Sequence, residues 1–262
     1  MTEVSIGISP KRRGLKKILI AIDGPAGSGK STTAKLVARR LGYVYLDTGA
    51  MYRAMTLKVL SSQVDPSDEK AVTELTRTTE ISFVGGEDMR ILLDGIDVTA
   101  AIRSEDVTAN VSLVSSYPGV REIMVARQRE IGSAKGCVMD GRDIGTVVFP
   151  NAELKFYIVA SIMERARRRQ EELSDNGVEL PIHRVVEELK ERDRKDSTRK
   201  TSPLRKADDA IEIDTTDLTI DEQVGIILNY VEKATTDSAS VRSGSAVSQS
   251  RPLSGQEEMQ RK

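Results

Sequence analysis

Residues 24–31 have the types and the spacing that bind the phosphates of a nucleotide. They read G-P-A-G-S-G-K-S, which matches the pattern G-x-x-x-x-G-K-S/T. Glycines let successive backbone N–H groups turn inward around an anion, and a following helix adds its positive N-terminus. In this pattern Lys30 reaches the β- and γ-phosphates, and the Ser31 hydroxyl binds Mg²⁺. The predicted ATP-binding residues are Gly24, Pro25, Ala26, Gly27, Ser28, Gly29, Lys30, Ser31 and Thr32.

The flanking sequence supplies the elements that this phosphate loop requires. The apolar run at residues 18–22 predicts a buried strand directly before it. After the loop, Ala34, Val37, Ala38 and Leu41 recur at the spacing of one helix face. A strand, a glycine-rich turn and a helix in this order indicate a nucleotide-binding site rather than an incidental glycine-rich turn.

The rest of the sequence narrows the class of nucleotide-binding protein. It contains no Asn-Lys-x-Asp segment of the kind that reads guanine in GTPases. A mechanical ATPase usually carries an apolar strand that ends in Asp-Glu. Here the apolar run at residues 137–139 leads into Asp140, Gly141, Arg142 and Asp143, which suits an anion held beside a carboxylate. A kinase with a phosphorylated acceptor needs arginines twice, for the acceptor phosphate and for the transferring group. Arginines predicted around the mouth of the loop are Arg53, Arg121, Arg142, Arg192 and Arg199.

Composition excludes several other classes of site. The formal net charge of −1 over 262 residues gives no electrostatic argument for nucleic acid or a membrane as partner. The single Cys137 cannot form an internal disulfide, and a single His183 excludes a zinc site built from Cys and His. No apolar run approaches the roughly 20 residues that cross a bilayer. The basic residues 11–17 precede an apolar run too short for a signal peptide. We therefore expect a soluble, cytoplasmic protein.

Short apolar runs alternate with amphipathic helices, which predicts an α/β fold around a parallel sheet. Residues 81–99 interrupt the alternation with three short strands and an Asp94-Gly95 hairpin turn, so we expect an inserted β unit. Residues 161–200 are densely charged and predict two helices. Terminal segments 1–16 and 235–262 contain few large apolar residues and are predicted to be disordered, leaving a folded domain at 17–234. The predicted parallel strands lie at residues 18–23, 43–46, 137–140, 154–159 and 210–214.

Three strings in this sequence resemble the bacterial cytidylate kinases, a family of nucleoside monophosphate kinases. They are the phosphate loop preceded by Asp23, the string L-D-T-G-A-M-Y-R at 46–53, and D-G-R-D-I-G-T-V-V-F-P at 140–150. Residues 191–196 resemble the lid of that family, and residues 97–103 resemble part of its enlarged substrate-binding insertion. The resemblance covers about residues 18–231. It implies a five-stranded parallel sheet, a substrate-binding insertion at about 62–118 and a helical lid at about 161–200.

The resemblance also implies substrates and residue roles. ATP with Mg²⁺ would donate its γ-phosphoryl to CMP or dCMP, and the enzyme would be a monomer. Independently of the family, a carboxylate such as Asp143 can accept a hydrogen bond from the 4-amino group of cytosine and would repel the 4-oxo group of uracil. Thr48 stands where relatives have serine, so the hydroxyl is kept. The implied groups are Lys30, Arg142 and Arg192 in catalysis, Arg53 and Arg142 on the acceptor phosphate, Thr48, Arg121, Asp143 and Arg199 around cytosine, and Ser112, Arg192 and Asp196 near the pentose.

Several alternatives remain open at this level. The acceptor could be UMP or a shikimate-like molecule, the protein could be a non-catalytic nucleotide switch, and the basic or Ser-rich terminal segments could bind an acidic partner. Asp143 could cap the turn that follows it. The arginines of residues 165–169 could form ion pairs along a lid helix, or Arg165 or Arg169 could face the ATP phosphates.

Overall fold

Strands and helices alternate along the chain, with one small β unit inserted. The computed structural model describes residues 16–85, 89–175 and 177–243, with side chains through residue 236. In chain order the elements are β1 (Leu19–Asp23), α1 (Lys30–Leu41), β2 (Val44–Asp47), α2 (Thr48–Ser61), α3 (Glu69–Thr78), β3 (Ile81–Val84), β4 (Arg90–Leu93), β5 (Ile96–Asp97), α4 (Glu105–Val114), α5 (Pro118–Gly132), β6 (Cys137–Gly141), β7 (Leu154–Val159), α6 (Ile162–Asp175), α7 (Ile182–Thr198), β8 (Ile211–Asp214) and α8 (Ile220–Ser243).

The central sheet contains five parallel strands in the order β2-β6-β1-β7-β8. This confirms the predicted α/β class and the strand assignments, with ends that differ by one residue. All five residues of β1 are buried, as expected for a strand covered on both faces. Because the strands are parallel, β1, β2 and β6 deliver Asp23, Asp47 and Asp140 to the same edge of the sheet. That edge, beyond the carboxyl ends of the strands, is where α/β folds bind ligands.

Two apolar layers hold the sheet. On one face Ile20 and Val138 pack with Val37 of α1 and Ile227 of α8, and on the other Met139 packs with helices α2, α4 and α5. Burial of an aliphatic side chain of this size contributes about 1.5–3 kcal/mol, so these layers fix the edge of the sheet that carries the phosphate loop.

The predicted inserted β unit is a three-stranded antiparallel sheet in the order β3-β4-β5. Asp94 and Gly95 join β4 to β5 with φ angles of 49° and 81°. Both values lie in the left-handed region that a tight hairpin turn needs, so the predicted turn is confirmed.

Residues 161–200 form two helices, α6 and α7, as predicted. Ala166 of α6 and Val185 and Leu189 of α7 pack around Ala26 of the phosphate loop. This small apolar cluster fixes the helical pair directly against the loop.

The predicted start of the C-terminal disordered segment at residue 235 is corrected, since α8 continues to Ser243. Thr235 is 3% exposed, and its hydroxyl donates to the Val231 carbonyl oxygen at 2.8 Å, so the buried face of α8 extends beyond Val231. The composition of residues 235–243 does not indicate this helical extension, because the segment is rich in threonine and serine. The remainder of that segment and residues 1–15 lie outside the described residues. No helix among residues 16–85, 89–175 and 177–243 is long and apolar enough to span a membrane.

Candidate active site

The phosphate loop connects β1 to α1 through three glycines with positive φ angles. These are 155° at Gly24, 74° at Gly27 and 84° at Gly29. A Cβ atom at Gly24 would lie 2.1 Å from the Ile158 carbonyl oxygen, and one at Gly27 would lie 3.0 Å from that of Arg165. Both backbone geometry and space therefore require glycine, and α1 begins at Lys30 with its N-terminus at the loop.

A cleft of about 900 Å³ opens beside the loop. This volume lies within the range of small-molecule sites. Residues of the loop that line it are Ala26, Gly27, Gly29, Lys30, Ser31 and Thr32, whereas Gly24, Pro25 and Ser28 do not. Every residue that the sequence assigns to the acceptor nucleotide lines the same cleft, namely Thr48, Arg53, Ser112, Arg121, Arg142, Asp143, Arg192, Asp196 and Arg199.

Lys30 lies buried at the centre of this arrangement. It is 7% exposed, and its Nζ donates to the Pro25 carbonyl oxygen at 3.2 Å. Burial, helped by the positive charge of Arg142, lowers the pKa of Lys30 to about 7. A lysine with this pKa gains a proton when an anion arrives, because a phosphate favours the charged ammonium.

We expect ATP binding in EDTA to take up about one proton at pH 8, because a lysine with a pKa of 7 is then mostly neutral. Calorimetric titration in buffers of different ionisation enthalpy measures the uptake. Lys30→Ala is the control and should lack it, and the difference between the two proteins should shrink as the pH falls towards 6. Equal uptake by both proteins would show that Lys30 is already charged.

One carboxylate joins the loop to the neighbouring strands. The Ser31 hydroxyl donates to Asp140 Oδ2 at 2.6 Å, and the Tyr45 hydroxyl donates to Asp140 Oδ1 at 2.9 Å. Burial and the nearby negative charge of Asp47 raise the pKa of Asp140 to about 6. A buried carboxylate beside the serine of a phosphate loop is the local chemistry that attracts a cation.

Arginines surround the middle of the cleft. Arg53 Nη2 pairs with Asp47 Oδ2 at 2.8 Å, and Arg142 Nε donates to Asp196 Oδ2 at 2.9 Å. The Nε of Arg192 is buried without a hydrogen-bond partner among the described residues. Burial and the charge of Arg142 lower the pKa of Arg192 to about 10. The positive charges of Arg53 and Arg142 both act on Arg192, so a phosphate bound among the three guanidinium groups would be strongly favoured.

A second cluster lies at the buried end of the cleft, around Asp143. Arg121 Nη2 donates to Asp143 Oδ2, and Arg121 Nη1 donates to the Ser115 carbonyl oxygen at 3.0 Å. Arg199 lies 3.8 Å from Asp143 Oδ1, which is beyond hydrogen-bond range. The Asp143 side chain makes no capping bond to the π-helical turn at Ile144–Val148, which excludes the turn-cap alternative. A polar ligand can therefore bind at Oδ1.

The lid arginines divide into two sets. Arg165 does not line the cleft; its Nη1 donates to the Ala26 carbonyl oxygen at 3.1 Å and pairs with Asp193 at 2.7 Å. It therefore ties the lid to the phosphate loop. Arg167, Arg168 and Arg169 line the cleft and form the predicted ion pairs with glutamates three or four residues away. Of the two candidates to face ATP, the structure favours Arg169.

Comparison with known proteins identifies the family of the chain. The model of a protein family described as cytidylate kinase matches residues 20–233 of the chain. The chain belongs to the cytidylate kinase family. The cytidylate kinase of Desulforamulus reducens is 52% identical over 214 residues, which cover 82% of this chain and 96% of that protein. The cytidylate kinase of Bacillus subtilis is 49% identical over 219 residues, covering 83% and 98%.

The sequence patterns assign no role of their own to two residues of this site, Asp140 and Asp23. For Asp140 the available signal is a carboxylate at the end of an apolar strand beside a phosphate loop. Asp23 accepts hydrogen bonds from the backbone N–H groups of Ile144 and Gly145, both at 2.8 Å. It thereby ties the base of the phosphate loop to the turn that follows Arg142 and Asp143. Only the folded structure reveals that contact, because the partners are backbone groups far along the chain.

The residues present suit a hard divalent cation such as Mg²⁺. Ser31 and Asp140 offer oxygen donors at the loop, the type that Mg²⁺ prefers. Among the described residues, no group of three or more His, Cys, Asp or Glu side chains could hold a metal ion. Mg²⁺ commonly completes its coordination with substrate phosphates and water.

Proposed function

We propose that this chain transfers the γ-phosphoryl group of MgATP to CMP or dCMP, giving CDP or dCDP. The observation that carries the proposal is that the phosphate loop and the Asp143 cluster open into one cleft. Membership of the cytidylate kinase family supports it. The cleft can hold two nucleotides with their phosphates meeting at Lys30 and the arginines, and a base at the buried end.

Catalysis in this proposal is positioning and charge neutralisation. A phosphate oxygen of CMP is already a competent nucleophile, so neither a covalent intermediate nor a general base is needed. Lys30 would hold the phosphates of the donor, and Arg53, Arg142 and Arg192 would hold the acceptor phosphate beside the transferring group. Mg²⁺, bound at Ser31 and Asp140, would neutralise charge on the donor phosphates.

Exclusion of water is the second requirement, since water would otherwise accept the phosphoryl group. The lid helices α6 and α7 and helix α4 of the insertion all contribute side chains to the lining of the cleft. Arg103 of the insertion lies 3.7 Å from Glu172 of α6, and both side chains line the cleft. Contacts of this kind would favour closure over the two nucleotides.

A coupled assay of ADP formation tests the proposal with CMP, dCMP, UMP, AMP and shikimate as acceptors. We expect CMP and dCMP to support steady turnover and the others to give far lower kcat/KM. A preference for UMP or shikimate would show that the proposed acceptor, CMP or dCMP, is wrong. Nucleotide binding without any acceptor-dependent ADP production would instead favour a non-catalytic nucleotide switch.

Arg53→Ala should raise the KM for CMP far more than the KM for ATP. A charge-assisted contact to a phosphate contributes roughly 1.5–3 kcal/mol, which corresponds to about a 10- to 150-fold rise. Steady-state kinetics with each substrate varied in turn measures both constants. Lys58→Ala is the matched control, since Lys58 lies on the same helix and pairs with Asp94 outside the cleft. Equal rises in both KM values would place Arg53 between the two phosphates.

A further inference from the structure

Tyr45 contacts the site without lining the cleft. Its hydroxyl donates to Asp140 Oδ1 at 2.9 Å, while the Ser31 hydroxyl donates to Oδ2 at 2.6 Å. Each oxygen of the carboxylate therefore has its own donor, from a different element. With both oxygens engaged, the carboxylate cannot rotate without breaking a hydrogen bond, so its orientation is set before any ligand binds.

The fold explains why a tyrosine reaches this position. Tyr45 and Asp47 lie two residues apart on β2 and thus on one face, and Asp47 is in register with Asp140 of β6. The Tyr45 ring packs against the apolar layer that includes Val37 of α1 and Val138 of β6. Packing fixes the ring, and the hydroxyl at its end extends along the strand towards Asp140.

Asp140 has a competing partner in the same site. The positive charge of Lys30 attracts the Asp140 carboxylate, whereas the positive charges of Lys30 and Arg142 repel each other. Without a donor on Oδ1, the carboxylate could turn towards Lys30 and leave Ser31. A hydrogen bond from a neutral hydroxyl prevents this turn and adds no positive charge near the cation site.

We propose that Tyr45 is a positioning residue for the divalent cation that accompanies ATP, acting by fixing the Asp140 carboxylate against Ser31. This inference rests on the proposed function, because it assumes that the cleft binds MgATP. Groups that orient a metal-binding side chain typically change metal affinity by about 10- to 100-fold when they are removed. Tyr45 should thus affect the binding of MgATP and leave the binding of metal-free ATP unchanged.

Tyr45→Phe removes only the hydroxyl and tests this directly. Calorimetry gives the affinity for ATP in EDTA and in saturating Mg²⁺, and the ratio of the two is the gain due to Mg²⁺. We expect that gain to fall about 10-fold in Tyr45→Phe, with the affinity in EDTA within about 2-fold of wild type. An unchanged gain in a folded variant would overturn the proposal, as would an equal loss of affinity in both conditions.

Tyr43→Phe is the matched control. Tyr43 lies two residues earlier, and its hydroxyl accepts a hydrogen bond from the Ile18 backbone N–H at 3.2 Å, outside the cleft. The Tyr43→Phe variant should keep the wild-type gain in ATP affinity due to Mg²⁺. A fall in that gain as large as the one in Tyr45→Phe would overturn the specific role of Tyr45. Phenylalanine keeps the ring and its packing, and if Tyr45→Phe is unfolded at 25 °C the same two affinities are measured at a lower temperature where its circular dichroism spectrum is native. Acceptor-dependent ADP production by wild type tests the proposed function separately.

Discussion

Lys30→Ala should lower kcat for phosphoryl transfer by at least about 1,000-fold while the protein remains folded. The magnitude follows from the cost of removing a positive charge that stabilises a transferring phosphoryl group. Lys30 is buried within the phosphate loop, and water has little room to replace its charge. The loop would retain its backbone N–H groups, so some ATP binding should survive in the variant.

A circular dichroism spectrum tests whether Lys30→Ala is folded, and a coupled assay measures its kcat. Lys35→Ala is the control, because Lys35 lies on the same helix with an exposed side chain and should keep wild-type activity. Lys30→Ala activity at a tenth of wild type or more, with a native spectrum, would contradict the catalytic role.

Local pattern was enough to predict the sheet and the phosphate loop. The five parallel strands are short apolar runs, and burial on both faces of a sheet produces that composition. The three glycines of the loop are required by positive φ angles that other residues rarely adopt. Features of this kind depend on consecutive residues, so they can be predicted without knowledge of contacts between distant segments.

Contacts between distant segments could not be predicted in the same way. Tyr45 reads as an ordinary strand residue until β2 and β6 are placed side by side. Arg165 and Arg169 look equivalent in a charged helix, and only packing of α6 against the loop directs one to Ala26 and the other to the cleft. The extension of α8 past residue 235 depends on a buried threonine whose hydroxyl is satisfied by its own helix.

Asp143→Asn should narrow the discrimination between CMP and UMP, and the structure gives the reason. Arg121 donates to Asp143 Oδ2, so it would select the amide oxygen of an asparagine at that position. The amide nitrogen would then occupy the place of Oδ1 and face the base. An N–H donor there opposes the 4-amino group of cytosine and suits the 4-oxo group of uracil. An unpaired buried polar group costs about 1–3 kcal/mol, so the ratio of kcat/KM for CMP over UMP should fall roughly 5- to 150-fold.

This ratio isolates base recognition from the general damage of removing a buried charge. Loss of the Asp143 carboxylate leaves Arg121 and Arg199 less well compensated, and that penalty affects both substrates equally. Asp209→Asn makes the same chemical change at an exposed carboxylate paired with Lys155 outside the cleft, and it should leave the ratio unchanged. A thermal unfolding curve establishes that each variant is folded. An unchanged ratio in folded Asp143→Asn would remove Asp143 from base recognition, and cytosine specificity would then rest on Thr48, Arg121 and Arg199.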